Sequence, residues 1–366
     1  MNKLRLLLLG ICILSKATLY GQGDDLTAEE LKYRDSIAAL NETNAAIAES
    51  QEAYNKGITY FNQKNYTAAI SQFTRSVKAD PNFTAAFYNK GVAENENNQF
   101  KAAILTLSTL IEKDKQYAKA YFQRGRAYQG LSNYLASEKD YKEAIALDAN
   151  NPKSHYNFGT LQFLQQNYEE AIASFTTTIE LDKNMAFAYN DRASCYRMLG
   201  NYTKALTDYE EALRRNPNLV FVLNNIGTTK KKMKDYDGAI ASFNRAISLD
   251  QNFYLAYANR GATQISKGRI DDAITDFKKC ISIQPEYAMA HNNLAAAYFQ
   301  KASYKEALQA SNKAIQIDPN YASAYVNRGM ANEMLRNMEK ACEDWEKAKS
   351  LGSEIGKRYY AQNCGM

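Results

Sequence analysis

From residue 50 onward the apolar positions fall into two alternating runs with helical spacing. In residues 50–83 the first run covers roughly places 2–14 of the segment and the second roughly places 18–30, with polar residues between them. The same pair of runs returns every 34 residues, without a break, to residue 355. Units starting at residues 50, 84, 118, 152, 186, 220, 254, 288 and 322 give nine copies in phase. Place 8 reads Gly57, Gly91, Gly125, Gly159, Ala193, Gly227, Gly261, Ala295 and Gly329. Place 20 is alanine in every copy but the third, which has Ser137. A fixed period of this length predicts an all-α array of helix–turn–helix hairpins, each touching only its neighbours, in place of one compact core.

The recurring residue types have physical reasons. Small residues at places 8 and 20 let paired helices approach, and a bulky place 24 (Phe73, Tyr141, Phe175, Tyr209, Phe243, Phe277, Trp345) fills the seam. Place 17 is mostly tyrosine and opens the second helix. All five prolines (Pro81, Pro152, Pro217, Pro285, Pro319) are expected in the loops between units, where proline stops a helix.

With these residues in view, the unit resembles the tetratricopeptide repeat, and the resemblance covers residues 50–355. It implies a right-handed superhelical solenoid of about nine repeats. Departures are local: Glu94 and Leu107 in the second copy, Ser311 in the eighth, Gly352 closing the ninth. The resemblance also implies that places 2, 5, 6, 9, 12 and 13 line a concave face. Place 6 is Asn55, Asn89, Gln123, Asn157, Asp191, Asn225, Asn259, Asn293 and Asn327, a row similar to the asparagine ladder of superhelical members. Such amides can hydrogen-bond an extended peptide backbone; the alternative is a consensus residue tolerated there. Place 5 is aromatic in copies 1–4 (Tyr54, Tyr88, Phe122, Tyr156), while place 2 turns apolar in copies 5–8 (Phe187, Phe221, Leu255, Met289). These rows read either as binding contacts or as packing between helices. The two-carboxylate clamp of chaperone-binding members is excluded, because no copy has Lys at place 5 or Asn at place 9.

Outside the array, residues 1–21 have a basic start (Lys3, Arg5) and an apolar run over 6–14, the pattern of a secretory signal peptide. Cleavage after Gly21 leaves Gln22 first, and loss of Lys3, Arg5 and Lys16 takes the net charge from +5 to +2. Cys12 lacks the small residue before it that lipidation wants. The expected location is periplasmic or outer-membrane-associated. Residues 22–49 read as a leading helix with a Thr27–Glu30 capping box, which either covers the first repeat or forms a docking or dimerising arm. Residues 356–366 read as a C-terminal cap. Cys342 and Cys364 are then candidates for a disulfide, and Trp345 for the residue that anchors the cap.

Composition adds exclusions. A chain with 45% apolar and 23% charged residues has an ordinary soluble profile, and a nearly neutral mature chain lacks the basic footprint of nucleic-acid binders. The lysine run Lys230, Lys231, Lys232 and Lys234 is either a solvated face or a site for an acidic partner. His155 and His291 fall at core place 4, and no metal, nucleotide or catalytic motif is present. No cofactor, no nucleic acid and no integral membrane span are expected. The sequence therefore points to a non-catalytic scaffold that binds a protein or extended peptide in its groove. The alternative is a structural subunit of an envelope assembly or secretion complex, held by its convex face or its ends.

Overall fold

The structure, a computed structural model, describes residues 27–364. The leader at residues 1–21, with Cys12 and Gln22, lies outside the described residues. Every regular element among the described residues is a helix. In chain order they are α1 (Ala28–Asn62), α2 (Tyr66–Ala79), α3 (Thr84–Glu96), α4 (Phe100–Lys113), α5 (Ala118–Gly130), α6 (Tyr134–Leu147), α7 (Pro152–Leu164), α8 (Tyr168–Leu181), α9 (Ala186–Met198) and α10 (Tyr202–Arg215). They continue as α11 (Val220–Lys232), α12 (Tyr236–Leu249), α13 (Tyr254–Ser266), α14 (Ile270–Ile283), α15 (Ala288–Gln300), α16 (Tyr304–Ile317), α17 (Ala322–Met334), α18 (Met338–Ser350) and α19 (Glu354–Asn363). Copies 2–9 each open on a first helix at place 1 and carry a second helix from place 17.

Two compact units divide the chain, one ending at Asn150 and the other beginning at Asn151. Copies 1–3 fall in the first and copies 4–9 in the second, and the 34-residue period carries no mark at that boundary. Within each unit, the first helices of successive copies touch one another as well as their own second helices. That makes the first-helix layer the inner one in each unit.

The place 8 rule has a sharper cause than close helix axes. A Cβ on Gly57 would lie 2.5 Å from the Phe73 ring, on Gly227 2.5 Å from Phe243, and on Gly329 2.5 Å from Trp345. The glycine is the floor on which the place 24 ring rests. Copy 8 breaks both halves of the rule together: Ala295 replaces the glycine, and Ser311 replaces the ring.

The turn between paired helices is also uniform. Place 15 takes the left-handed conformation in every copy: Lys64, Asn98, Ser132, Gln166, Gly200, Lys234, Gly268, Ala302 and Arg336, with φ between 58° and 76°. Only two of these are glycine, so the sequence gives little sign of it. The next residue caps the second helix, as Asn65, Asn133, Asn201 and Asp235 accept from the backbone N–H three residues on. At the far end, Asp80, Asp114, Asp182, Asp250 and Asp318 accept from the backbone N–H two residues on, closing a turn whether or not proline follows. Pro152 corrects the reading of inter-unit prolines. It is the first residue of α7, where its missing N–H is not needed.

Both ends of the array differ from its middle. The Thr27–Glu30 capping box is formed, and α1 then runs 35 residues without interruption into copy 1. Its buried residues are Ser50, Ala53 and Gly57, while Leu40 and Ile47 are 54% and 51% exposed. Residues 28–49 therefore extend beyond the first repeat instead of folding over it. At the other end α19 packs back on α18. Trp345 is fully buried and stacks on Tyr359 with ring centroids 5.1 Å apart, and Cys342 and Cys364 form a disulfide with Cα atoms 5.7 Å apart.

Candidate binding face

The place 5 and place 6 rows meet on the inner layer, and much of their bonding capacity is turned inward. In the first unit, Asn89 Nδ2 donates to Tyr54 Oη at 2.8 Å. In the second, Tyr156 Oη donates to Asp191 at 2.6 Å, Asn225 Nδ2 to Asn190 Oδ1 at 3.1 Å, Asn259 Nδ2 to Asn224 Oδ1 at 2.8 Å, and Asn327 Nδ2 to Asn292 Oδ1 at 2.8 Å. Each bond runs from place 6 of one copy to place 5 of the copy before, with the donor reversed at Tyr156–Asp191. The amide row is thus a ladder that ties first helices together. Asn55 accepts from Gln51, and Asn157 donates to the Lys153 carbonyl in its own helix. Opposite Asn293 the preceding place 5 is Ala258, which offers no side-chain acceptor.

The place 5 aromatics are half-buried and lean on rings of their own unit. Tyr54 lies 5.8 Å from Phe73 and 4.8 Å from Phe83, Tyr88 5.6 Å from Tyr117, Phe122 6.0 Å from Tyr141, and Tyr156 5.7 Å from Phe175. Burial raises the Tyr156 hydroxyl pKa, helped by the neighbouring Asp191, and burial raises the Asp191 carboxyl against the pull of its two hydrogen bonds.

The inner layer of copies 5–8 is built differently. Its place 5 and place 9 residues are small or amide: Asn190 and Ser194, Asn224 and Thr228, Ala258 and Ala262, Asn292 and Ala296. Place 2 stands along one edge of this low floor, with Phe187 50% and Met289 47% exposed. Phe187 and Phe221 stack nearly parallel, 5.9 Å between centroids. Ten residues along each helix, about 15 Å away, place 12 forms the other edge, basic in copies 5 and 6 with Arg197 and Lys231, followed by Lys232, and apolar in copies 7 and 8 with Ile265 and Phe299. Helices α9, α11, α13 and α15 hold Asp191 as their only acid, against Arg192, Arg197, Lys230, Lys231, Lys232 and Arg260. Arg192 and Arg260 are held by Asp208 and Asp276, whereas the lysine run has no carboxylate within salt-bridge distance. Burial, then the adjacent Lys232, lowers the Lys231 pKa. The result is a trough with one apolar edge and an opposite edge that is basic in copies 5 and 6.

Sequence reading missed a second pattern, because its period is two units. In copies 3, 5, 7 and 9, place 7 arginine binds both oxygens of place 23 aspartate: Arg124–Asp140 at 2.7 and 2.8 Å, Arg192–Asp208 at 2.7 and 2.9 Å, Arg260–Asp276 at 2.8 and 2.6 Å, and Arg328–Asp344, whose shortest contact is 2.6 Å. Each guanidinium also reaches place 25 of the preceding copy: Ser108, Thr176, Asn244 or Asn312. A tyrosine at place 4 (Tyr121, Tyr189, Tyr257, Tyr325) lies under each guanidinium at 5.3–5.8 Å. Copies 4, 6 and 8 instead carry Phe158, Ile226 and Leu294 at place 7. The signal was readable at a spacing of 68.

Other candidate chemistry is structural. His291 is buried with Nε2 2.9 Å from the Pro285 carbonyl. The buried Cys195 and Cys280 thiols are pushed up to about 12 by burial, which keeps them protonated. Among the described residues no group of three or more His, Cys, Asp or Glu is placed to hold a metal, and no helix is long and apolar enough to cross a membrane.

Comparison with known proteins agrees with this architecture. Models described as tetratricopeptide repeat match residues 54–118, 122–186, 186–219 and 220–253, and one described as TPR repeat matches 263–302 and 297–335. The matches at 186–219 and 220–253 have the register of copies 5 and 6. No curated protein matches the sequence. A tetratricopeptide repeat protein from Parabacteroides merdae is 23% identical, with 67% of this chain covering 98% of that one at a TM-score of 0.56. The C-terminal part of a TPR repeat-containing protein from Cytophaga hutchinsonii is 20% identical, 66% of this chain covering 98% of that one at 0.52. A chain of the APC/C hetero-tetramer Cut9–Hcn1 is 17% identical at 0.53, with 73% of this chain spanning only 52% of that one. At these identities the likeness is one of fold. With nine units in phase, a glycine or alanine at place 8 of every unit and family models matched between residues 54 and 335, this chain belongs to the tetratricopeptide repeat family, whose repeats mediate protein–protein interactions.

Proposed function

We propose that the protein is a non-catalytic scaffold that holds a segment of another polypeptide in the trough of copies 5–8. The observation that carries this reading is the apolar edge Phe187–Phe221–Leu255–Met289, half in water at Phe187 and Met289, facing Arg197, Lys231 and Lys232 of copies 5 and 6 across a small-residue floor. Large apolar groups are left in water at regular spacing, next to cations that no carboxylate neutralises, and a partner's burial of both is favourable. The aromatic row of copies 1–4 takes a supporting part, since its rings are already packed. The amide row fixes neighbouring repeats and leaves to the partner only what the ladder does not use.

An exported protein fits this reading. Support comes from the basic and apolar pattern of residues 1–21 and from the Cys342–Cys364 disulfide, which persists in oxidising compartments. A second reading, docking through the N-terminal end within an envelope assembly, is favoured by the exposed Leu40 and Ile47 on α1.

Affinity isolation of the full chain from its own host, beside a Phe187→Ser/Phe221→Ser variant of unchanged helix content, tests the scaffold. Loss of a bound protein from the variant alone is the expected result. Retention of every partner by that variant, with loss from a Leu40→Ser/Ile47→Ser variant, contradicts the trough and favours the end.

A further inference from the structure

Two surfaces of this chain are largely exposed, and they are complementary. Residues 28–49 form about six turns of helix with little beside them, although isolated helices of such length are marginal in water. Ile37, Leu40 and Ile47 share one face of that stretch, at the 3.6-residue period, and Leu40 and Ile47 are half-exposed. Asp35, Glu42 and Glu49 recur every seven residues on the opposite face, Asp35 beside Arg34 and Glu49 held by Arg75. The stretch holds five acids and two bases, Lys32 and Arg34, so its net charge is −3. The trough of copies 5–8 has a matching character: an apolar edge and, opposite it in copies 5 and 6, Arg197, Lys231 and Lys232, with Asp191 the one acid of its first helices and Arg192 and Arg260 already held by aspartates.

Dimensions agree as well. The two edges stand about 15 Å apart along the lining helices, and a helix is about 10–12 Å across with its side chains. The floor between them is made of small and amide residues, which admits a helix backbone closely. A helix bonds its own peptide groups, so it asks little of amides already engaged in the ladder. Along it, Leu40 and Ile47 stand about 10 Å apart, a wider step than the 5.9 Å between the stacked Phe187 and Phe221 rings, so the two meet different parts of the apolar edge.

We propose that residues 28–49 of one copy lie in the copy 5–8 trough of a second copy, joining chains head to tail. This rests on the trough being a binding surface, as argued above, and names its occupant. Ile37, Leu40 and Ile47 meet the apolar edge, and Asp35 and Glu42 meet Lys231 and Lys232. Because the two surfaces are different patches, the contact is heterologous, and each addition leaves a free arm and a free trough. Assembly therefore grows with concentration and weakens with salt.

Sedimentation of the full chain over a wide concentration range tests this. The wild type should exceed dimer mass. An arm variant, Leu40→Ser/Ile47→Ser, and a trough variant, Lys231→Glu/Lys232→Glu, should each associate at least tenfold more weakly alone. Mixed, they should stop at a dimer, the intact arm of the trough variant filling the intact trough of the arm variant. Adding Glu42→Lys to the trough variant should restore association. A wild type that stays monomeric overturns the proposal. So does a trough variant that associates like wild type, since arms would then pair with arms. If the chain is monomeric while the Phe187→Ser/Phe221→Ser variant still loses a foreign protein, the scaffold reading stands and the head-to-tail contact alone is lost.

Discussion

The inner layers of copies 1–3 and copies 5–8 have the same helices in the same register, yet they present different surfaces. In copies 1–3 the rings stand at place 5, where Tyr54, Tyr88 and Phe122 are half-buried against Phe73, Tyr117 and Tyr141. In copies 5–8 place 5 shrinks to Asn190, Asn224, Ala258 and Asn292, and the large apolar groups move to place 2. An aromatic at place 5 is consumed by its own repeat, while Phe187 at place 2 stands half in water. The face a residue occupies is thus settled by three residues of sequence offset, not by residue type.

The frame beneath the two faces is shared, so breaking it should have equal effect in both. Arg124→Leu or Arg260→Leu leaves a buried aspartate, Asp140 or Asp276, without its partner, and each is expected to lower stability by about 3 kcal/mol. Urea denaturation of the full chain reads this. Adding Asp276→Ala to Arg260→Leu copies the native Leu294 and Ala310 of copy 8, and the double variant should regain most of the loss. The faces themselves should then separate. Phe122→Ala is expected to cost about 2 kcal/mol of stability, while Phe187→Ala, at a half-exposed ring, costs below about 0.5 kcal/mol and weakens partner binding instead. Equal stability losses at the two rings would erase the comparison.

Smaller effects sharpen it. Ala302 holds a left-handed φ of 59° in the turn of copy 8, where copies 5 and 7 have Gly200 and Gly268. Ala302→Gly should stabilise by about 1 kcal/mol, with binding unchanged. Asp191 is the one acid in the amide row, and burial raises its pKa. A raised carboxyl contributes stability that is full below the unfolded value, near pH 4, and lost as pH rises through the folded value. Asp191→Asn should therefore raise the melting temperature at pH 7 by on the order of a degree, and the gain should vanish by about pH 3.

Much of this was legible from the residues. The period fixed the helix count and register, and the bulky residues at place 24 marked the seam, whereas the contact between place 8 and place 24 emerges only in the structure. The Cys342 and Cys364 placement followed from expecting α19 to fold back. Other features were hidden for definite reasons. The left-handed place 15 is masked because Lys64, Asn98 and Arg336 occupy it as readily as Gly200 does. The arginine clamp escapes a search at 34 residues because it recurs at 68. The asparagine row reads as a ligand site until Asn89, Asn225, Asn259 and Asn327 are seen to bond the preceding copy through Nδ2. Leu31, Ile37, Leu40 and Ile47 suggest a cap by composition, yet α1 is continuous and carries them past the first repeat. For the face itself, the shift of apolar residues from place 5 to place 2 was visible. What the sequence lacked was exposure, which turns Phe187 from packing into a contact.

The most direct test places a photo-crosslinking residue at one position at a time in the full chain, in its own host. Substitutions at Phe187 and Met289 report on the trough, at Tyr88 on the inner layer of the first unit, and at Glu210 on a second helix. Adducts to a polypeptide from Phe187 and Met289, absent from Tyr88 and Glu210, are the expected result. Adducts from Tyr88 or Glu210 with none from Phe187 and Met289 would contradict the assignment of the binding face.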